Sequence, residues 1–342
     1  MSRRLTDLSL DELQEVIAEL GHPSWRAQQT CEWIYKRGVL SANDMGNLPK
    51  SLRAALGERL SIPPVQVENL QKSRDGTTKF LARLSDGLAV ECVIIPAGKR
   101  TTVCLSSQVG CAVQCVFCAS GLDGGKRNLT QGEIVEQFLI ARRFAAEDNR
   151  PLTNLVMMGM GEPMFNLGSV MAALSAIHDP KGCDFGARRI TVSTVGIAEG
   201  VRRFTAARTA YTLAFSLHAP NDTLRRKIVP LKSAMTVADI VKASREYLET
   251  TGREATFEYV LLCGINDQQH HADELARVLR SARGTVNLIP HNPVADLPYS
   301  PPHSRDVQAF EDRLVSAGIK VTVRRQMGED IAAACGQLAR RS

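Results

Sequence analysis

The sequence predicts an α/β fold, a partial (β/α)6 barrel preceded by a small helical unit and a β-hairpin. Three observations predict it. From about residue 100 onward, short apolar runs alternate with amphipathic helical stretches, the pattern of βαβ units and a parallel sheet or barrel. Six such runs can be counted, fewer than the eight strands of a closed barrel. The first ~95 residues have a different texture, with helical periodicity followed by two β-rich runs around a turn.

The elements follow in order. Leu8-Ser9-Leu10-Asp11-Glu12-Leu13 opens the first helix, with Ser9 as N-cap and Glu12 three positions on as its capping-box partner. A second helix runs from Trp25 to Tyr35, and a third follows Leu48-Pro49 with Leu52 and Leu56 on one face. Pro63-Pro64 ends the helical part. Residues 79–84 and 89–95 flank Ser85-Asp86-Gly87, and Asp-Gly between β-formers signals a hairpin. Strands are predicted at residues 102–105, 154–158, 189–193, 211–217, 256–262 and 285–289. Helices are predicted at 130–143, 167–177, 237–250 and 272–281, with a last helix at 305–317 and a strand at 320–324. Residues 1–95 are expected to form the accessory unit and 96–342 the barrel.

The chain has 342 residues, 44% hydrophobic and 23% charged, enough for a large core. No apolar leader opens it and no run of about 18 apolar residues interrupts it, so neither a signal peptide nor a membrane span is expected. The expected location is cytoplasmic, where most of the nine cysteines stay reduced and some serve as metal ligands or catalytic thiols. A net charge of +6 permits a polyanionic partner such as RNA. Arg188-Arg189, Arg202-Arg203, Arg225-Arg226-Lys227 and Arg324-Arg325 are candidate phosphate contacts.

Cys111-Ala112-Val113-Gln114-Cys115-Val116-Phe117-Cys118 places three thiols on one short loop. Three thiolates can hold a cube of iron and sulfur and leave one iron open for a small molecule. The competing reading is a structural zinc site with Cys104 as fourth ligand, in a non-catalytic RNA-binding protein. The Cys-x3-Cys-x2-Cys spacing resembles the radical S-adenosylmethionine (SAM) superfamily. That resemblance implies a [4Fe–4S] cluster on Cys111, Cys115 and Cys118, reductive cleavage of SAM to a 5′-deoxyadenosyl radical, and a partial radical SAM barrel.

In parallel α/β folds ligands sit beyond the carboxyl ends of the strands. Gly159-Met160-Gly161-Glu162-Pro163 follows the second barrel strand, where Gly161 allows close backbone approach and Glu162 suits an ammonium group. Ser193 ends the third strand, Ser216-Leu217-His218 the fourth, and Asn292 follows the sixth. Each is placed to hydrogen-bond a ribose hydroxyl or a carboxylate.

Cys335 lies among small residues close to the C-terminus, where a mobile loop is expected to carry it to the active site. Cys104 precedes the cysteine loop closely. Two thiols able to reach one reacting centre suit covalent catalysis with a resolving partner. Cys31, Cys92, Cys183 and Cys263 read as packing residues.

The segments Ser106-Ser107-Gln108-Val109-Gly110-Cys111, Met158-Gly159-Met160-Gly161-Glu162-Pro163, Ser216-Leu217-His218-Ala219-Pro220-Asn221 and Ala333-Ala334-Cys335-Gly336-Gln337-Leu338 together resemble the RlmN/Cfr family of RNA adenine methyltransferases. The resemblance implies that Cys335 takes a methyl group from one SAM and that a second SAM gives the radical. The activated methylene then adds to adenine, and Cys104 resolves the adduct by a disulfide with Cys335. Glu91, at the end of the hairpin's second strand, matches the family's proton acceptor. Implied partners are 23S ribosomal RNA, transfer RNA, and an electron donor such as flavodoxin or ferredoxin; no membrane is implied. Methylation at C2, the RlmN branch, is expected over C8, the Cfr branch.

Overall fold

The computed structural model describes residues 3–60, 62–295, 297–324 and 326–338; Arg325, a candidate phosphate contact, lies outside them. The helical unit is α1 (Leu10–Glu19), α2 (Arg26–Cys31) and α3 (Lys50–Arg59). The predicted capping box is present: Glu12 N donates to Ser9 Oγ at 3.2 Å and Ser9 N to Glu12 Oε2 at 2.8 Å. The second helix is shorter than expected because a π-helical turn, Glu32–Lys36, takes over after Cys31.

One ten-stranded sheet follows. It contains β1 (Gln66–Lys72), β2 (Thr78–Arg83), β3 (Ala89–Ala97) and β4 (Arg100–Cys104), paired antiparallel in sequence order. A small separate hairpin, β5 (Gln108–Gly110) and β6 (Gly125–Asn128), encloses the cysteine loop. The parallel part runs from β4 through β7 (Asn154–Met157), β8 (Ile190–Thr194), β9 (Thr212–Ser216), β10 (Ala255–Leu261) and β11 (Gly284–Pro290) to β12 (Lys320–Val323). The six predicted barrel strands are therefore present, and β12 extends the parallel run by one.

Several features depart from the sequence reading, among them the β5–β6 hairpin. β1 is an additional edge strand. β3 continues beyond the hairpin, because Pro96 and Ala97 go on pairing with Thr101 and Arg100 of β4 across a two-residue turn at Gly98-Lys99. Glu91 consequently lies near the beginning of β3 rather than at its end.

The crossover helices are α4 (Gln131–Glu147), α5 (Leu167–His178), α6 (Ala198–Ala206), α7 (Asp222–Ile228), α8 (Val237–Thr251), α9 (Gln269–Leu279) and α10 (Ser304–Ser316). They connect the parallel strands, and central strands such as β9, Thr-Leu-Ala-Phe-Ser, buried at their three middle residues, read as apolar runs without alternation. A single core cluster extends from Leu13 and Ile34 of the helical unit through Phe80 and Phe138 to Phe257 and Phe310.

A buried ionic network ties the N-terminus to α4. Arg4 pairs with Glu136 at 3.2 Å, and Glu136 also accepts from Thr6 Oγ1 at 2.5 Å and Val65 N at 2.6 Å. Burial raises the Glu136 carboxyl to about 7, while Arg4 opposes the rise. No helix among the described residues is long and apolar enough to cross a membrane.

Candidate active site

The cysteine loop is shaped by its glycines. Gly110 has φ +75, and a side chain there would lie 2.0 Å from Gly124 O, so only glycine lets the β5–β6 hairpin close. Within the loop, Cys118 N donates to Cys115 O at 3.0 Å, and Val116 N donates to Ile228 O at 3.1 Å, pinning the loop to the end of α7. Cys111, Cys115 and Cys118 line one cavity at the carboxyl ends of the parallel strands. Burial raises all three thiols, Cys111 to about 12, and the thiols around Cys115 raise it further. A metal centre binding here must displace three protons.

Among the described residues no three His, Cys, Asp or Glu side chains are arranged to hold a single metal ion. Three thiols that share a cavity on one loop instead suit separate corners of an iron–sulfur cube. Cys104 does not complete a zinc set. Burial raises its thiol to about 12, with Cys335 adding to the rise and Arg324 opposing it.

Other cavity walls come from strand ends. Gly161 has φ +102, and a Cβ there would meet Gln108 Cβ at 2.6 Å. Next to it, Glu162 is buried, with Oε1 accepting from Met164 N at 3.0 Å and Oε2 from Val195 N at 2.9 Å. Burial raises its carboxyl despite these bonds. Ser193 and Ser216 share a hydrogen bond at 3.1 Å and both line the cavity. His218 is a non-glycine residue at φ 59, held there by Asn266 Nδ2 donating to its carbonyl at 2.8 Å. Val260 N donates to His218 Nδ1 at 3.1 Å, and burial pushes the imidazole down to about 3. The neutral ring therefore carries its proton on Nε2, which makes it a hydrogen-bond donor.

Four predicted residues, Glu91, Cys104, Leu217 and Asn292, are not on the cavity wall. Leu217 is fully buried in the core and lines no part of the cavity. Asn292 is also off the cavity wall, and its Nδ2 donates to the backbone oxygen of Cys335 at 2.9 Å. Cys335 lines the cavity, and its segment is tethered rather than loose. Ala119 N donates to Gly336 O and Ser120 Oγ to Leu338 O, each at 2.7 Å, while Gln337 Nε2 donates to Pro293 O at 2.7 Å. The residue keeps solvent contact at the cavity rim but is walled by protein, so burial raises its thiol to about 11 while Arg324 opposes. Cys118 adds to the rise of the Cys335 thiol, and Cys335 adds to that of Cys104. All three thiols are free.

Sequence reasoning missed Glu258 and Lys79, and read Arg225 and Arg324 only as candidate phosphate contacts. Arg225 is not a phosphate contact: it is buried, and its guanidinium donates to the carbonyls of Leu217, Met235, Val195 and Ser216. Arg324 projects into the cavity and pairs with buried Glu258 at 3.2 Å. Lys79 pairs with Glu91 at 2.8 Å. Of the four cysteines read as packing residues, Cys31 and Cys92 are buried and Cys183 is half-buried, but Cys263 is exposed on the turn after β10.

A partial parallel barrel with a three-cysteine loop opening on its carboxyl-end cavity defines the radical SAM class, and the Radical SAM superfamily model matches residues 105–276. A second model, the ribosomal RNA large subunit methyltransferase N-terminal domain, matches residues 4–62. The chain belongs to the RlmN family. A relative in Rhodopirellula baltica is 46% identical over 98% of this chain and 90% of its own. The dual-specificity RNA methyltransferase RlmN of Nitratidesulfovibrio vulgaris is 45% identical over 98% of this chain and 94% of its own. The crystal structure of a radical SAM methyltransferase from Sphaerobacter thermophilus superposes with a TM-score of 0.96 at 46% identity, covering 99% of this chain and 100% of that one. Membership of the superfamily implies a [4Fe–4S] cluster and SAM, and the three-thiol loop is a donor set that fits them.

Proposed function

We propose that this protein methylates C2 of a specific adenosine in 23S ribosomal RNA, and an adenosine beside the anticodon of some transfer RNAs, through an S-methyl group on Cys335. The observation that carries the reading is that Cys335 lines the cavity of the cysteine loop. The [4Fe–4S] cluster with SAM, when bound, supplies the 5′-deoxyadenosyl radical. Two SAM molecules are used per turnover, one of them giving its methyl to Cys335.

The chain's own groups have distinct tasks. Cys111, Cys115 and Cys118 hold the cluster. Glu162 and the Gly161 backbone take the methionine end of SAM, and Ser193, Ser216 and the Nε2–H of His218 offer hydrogen-bonding groups to the rest. Asn292 fixes the Cys335 backbone. Cys335 is nucleophilic only as thiolate, which Arg324 and the sulfonium of SAM both favour. Glu91 accepts a proton from the adduct, and Cys104 releases the product by forming a disulfide with Cys335.

Adenine C2 is electron-poor, so polar methylation is disfavoured there and a carbon radical is the suitable reagent. The base is normally stacked, and it must be extruded to enter the cavity. Residues 1–95 form an accessory unit that contacts the RNA, and a flavodoxin or ferredoxin in the cytoplasm supplies the electron. Mass spectrometry of nucleosides from RNA treated with the reconstituted enzyme tests the reading. It should find 2-methyladenosine; 8-methyladenosine would contradict the site of attack.

A further inference from the structure

We propose that Lys79 is a positioning residue that joins the Glu91 carboxylate to the segment carrying Cys335. The inference rests on the reading of Glu91 and Cys335 given above and deepens it. On the β2–β3 ladder Lys79 pairs with Val93 and Leu81 with Glu91, so Lys79 and Glu91 project from the same face on neighbouring strands. Lys79 Nζ lies 2.8 Å from Glu91 Oε1 and also donates to Ala332 O at 3.1 Å. Both residues are buried, at 8% and 6% exposure, where an ammonium persists only with partners such as these.

Ala332 is an informative second partner. It holds φ 49, a left-handed conformation that a residue with a Cβ keeps only when its surroundings impose it. The surroundings are Lys79 on its carbonyl and, four residues earlier, Asp75 accepting from Gly328 N at 2.7 Å. Three residues after Ala332 comes Cys335. One ammonium therefore touches both the proton acceptor and the tether of the methyl-carrying thiol. In the adduct the ring C–H bond breaks, its proton passes to a Glu91 oxygen, and the electron pair stays with the ring. Lys79 holds that carboxylate in place for this step, which follows carbon–carbon bond formation at the methylene carbon attached to the Cys335 sulfur.

The test compares holoenzyme carrying Lys79→Met, Lys79→Arg or Glu91→Gln with the unaltered protein. The readouts are the methyl mass on Cys335, the covalent RNA adduct on a denaturing gel, and kcat and KM for RNA. Lys79→Met should still methylate Cys335 and still form adduct. Its adduct should persist about ten-fold longer and kcat should fall about ten-fold, with KM within about two-fold. Lys79→Arg, which keeps the charge, should recover most of the loss. Should Lys79→Met fail to fold, Lys79→Gln makes the same comparison.

Three results overturn the inference: normal turnover by Lys79→Met, loss of Cys335 methylation in a folded Lys79→Met, or no recovery by Lys79→Arg. If Glu91→Gln accumulates adduct while Lys79→Met turns over normally, only the role of Lys79 fails. If Glu91→Gln accumulates none, the reading of Glu91 fails with it.

Discussion

At the scale of single residues, the chemistry that was legible is the chemistry encoded locally. Three thiols within one turn of loop declare a metal centre whatever the rest of the chain does, and Cys111, Cys115 and Cys118 do line one cavity. Cys115 is the most informative to remove, because both other thiols of the cysteine loop add to the rise of its own. Cys115→Ala should abolish bound iron, the brown absorbance and SAM cleavage together. An iron-replete variant that still makes 5′-deoxyadenosine would show that the loop is not the cluster site. Arg225 was illegible for the opposite reason. Within Arg225-Arg226-Lys227 it looks like one more surface cation, yet it is the only one of the three that is buried, and its partners are four carbonyls scattered from Val195 to Met235. No pattern in sequence announces that kind of satisfaction. His218 was found as a strand-end polar residue, but its tautomer needed the Val260 amide to define it.

At the scale of elements, the central strands were readable because they are buried on both faces and bounded by helices. β1 was not, because Gln-Val-Glu-Asn-Leu-Gln-Lys is an edge strand with mostly exposed side chains and little apolar signal. Element placement also sorts the basic residues. Arg188 and Arg189 immediately precede β8, at the amino end of a parallel strand and so opposite the cavity mouth. Arg226 and Lys227 are exposed on α7, which follows the carboxyl end of β9 and abuts the cysteine loop. If RNA enters at the mouth, replacing Arg226 and Lys227 with alanine should weaken binding and flatten the log–log salt dependence by roughly 0.7–0.9 for each phosphate no longer neutralised. The same change at Arg188 and Arg189 should leave both unaltered. Filter-binding titrations across a salt series read this, and equal losses from the two pairs would refute the assignment of the binding face.

At the scale of the whole molecule, the site is assembled from segments far apart in the chain. The sheet carries Cys104 on β4, the β5–β6 hairpin carries the cysteine loop, and the C-terminal segment crosses back to bring Cys335 to the cavity that the loop lines. Ala119 and Ser120, directly after the last loop cysteine, bind the backbone on either side of Gln337, so loop and segment form one structure. Sequence spacing brought Cys104 near the loop, but that Cys335 joins them came only from family resemblance, since no local pattern fixes where a terminal segment docks. The sequence suggests a mobile segment, but it is tethered by the Ala119 amide, by the side chains of Ser120, Asn292 and Lys79, and by its own Gln337.

The central claim is that Cys335 carries the methyl group and Cys104 releases the product. The measurement that tests it most directly is a denaturing gel of labelled RNA incubated with the reconstituted enzyme and its cysteine variants. Cys104→Ala should accept a methyl on Cys335, attack the RNA and stall, giving a shifted, nuclease-sensitive band. Cys335→Ala and the double variant should give none. Normal turnover by Cys104→Ala, or an adduct that survives the loss of Cys335, would contradict the account.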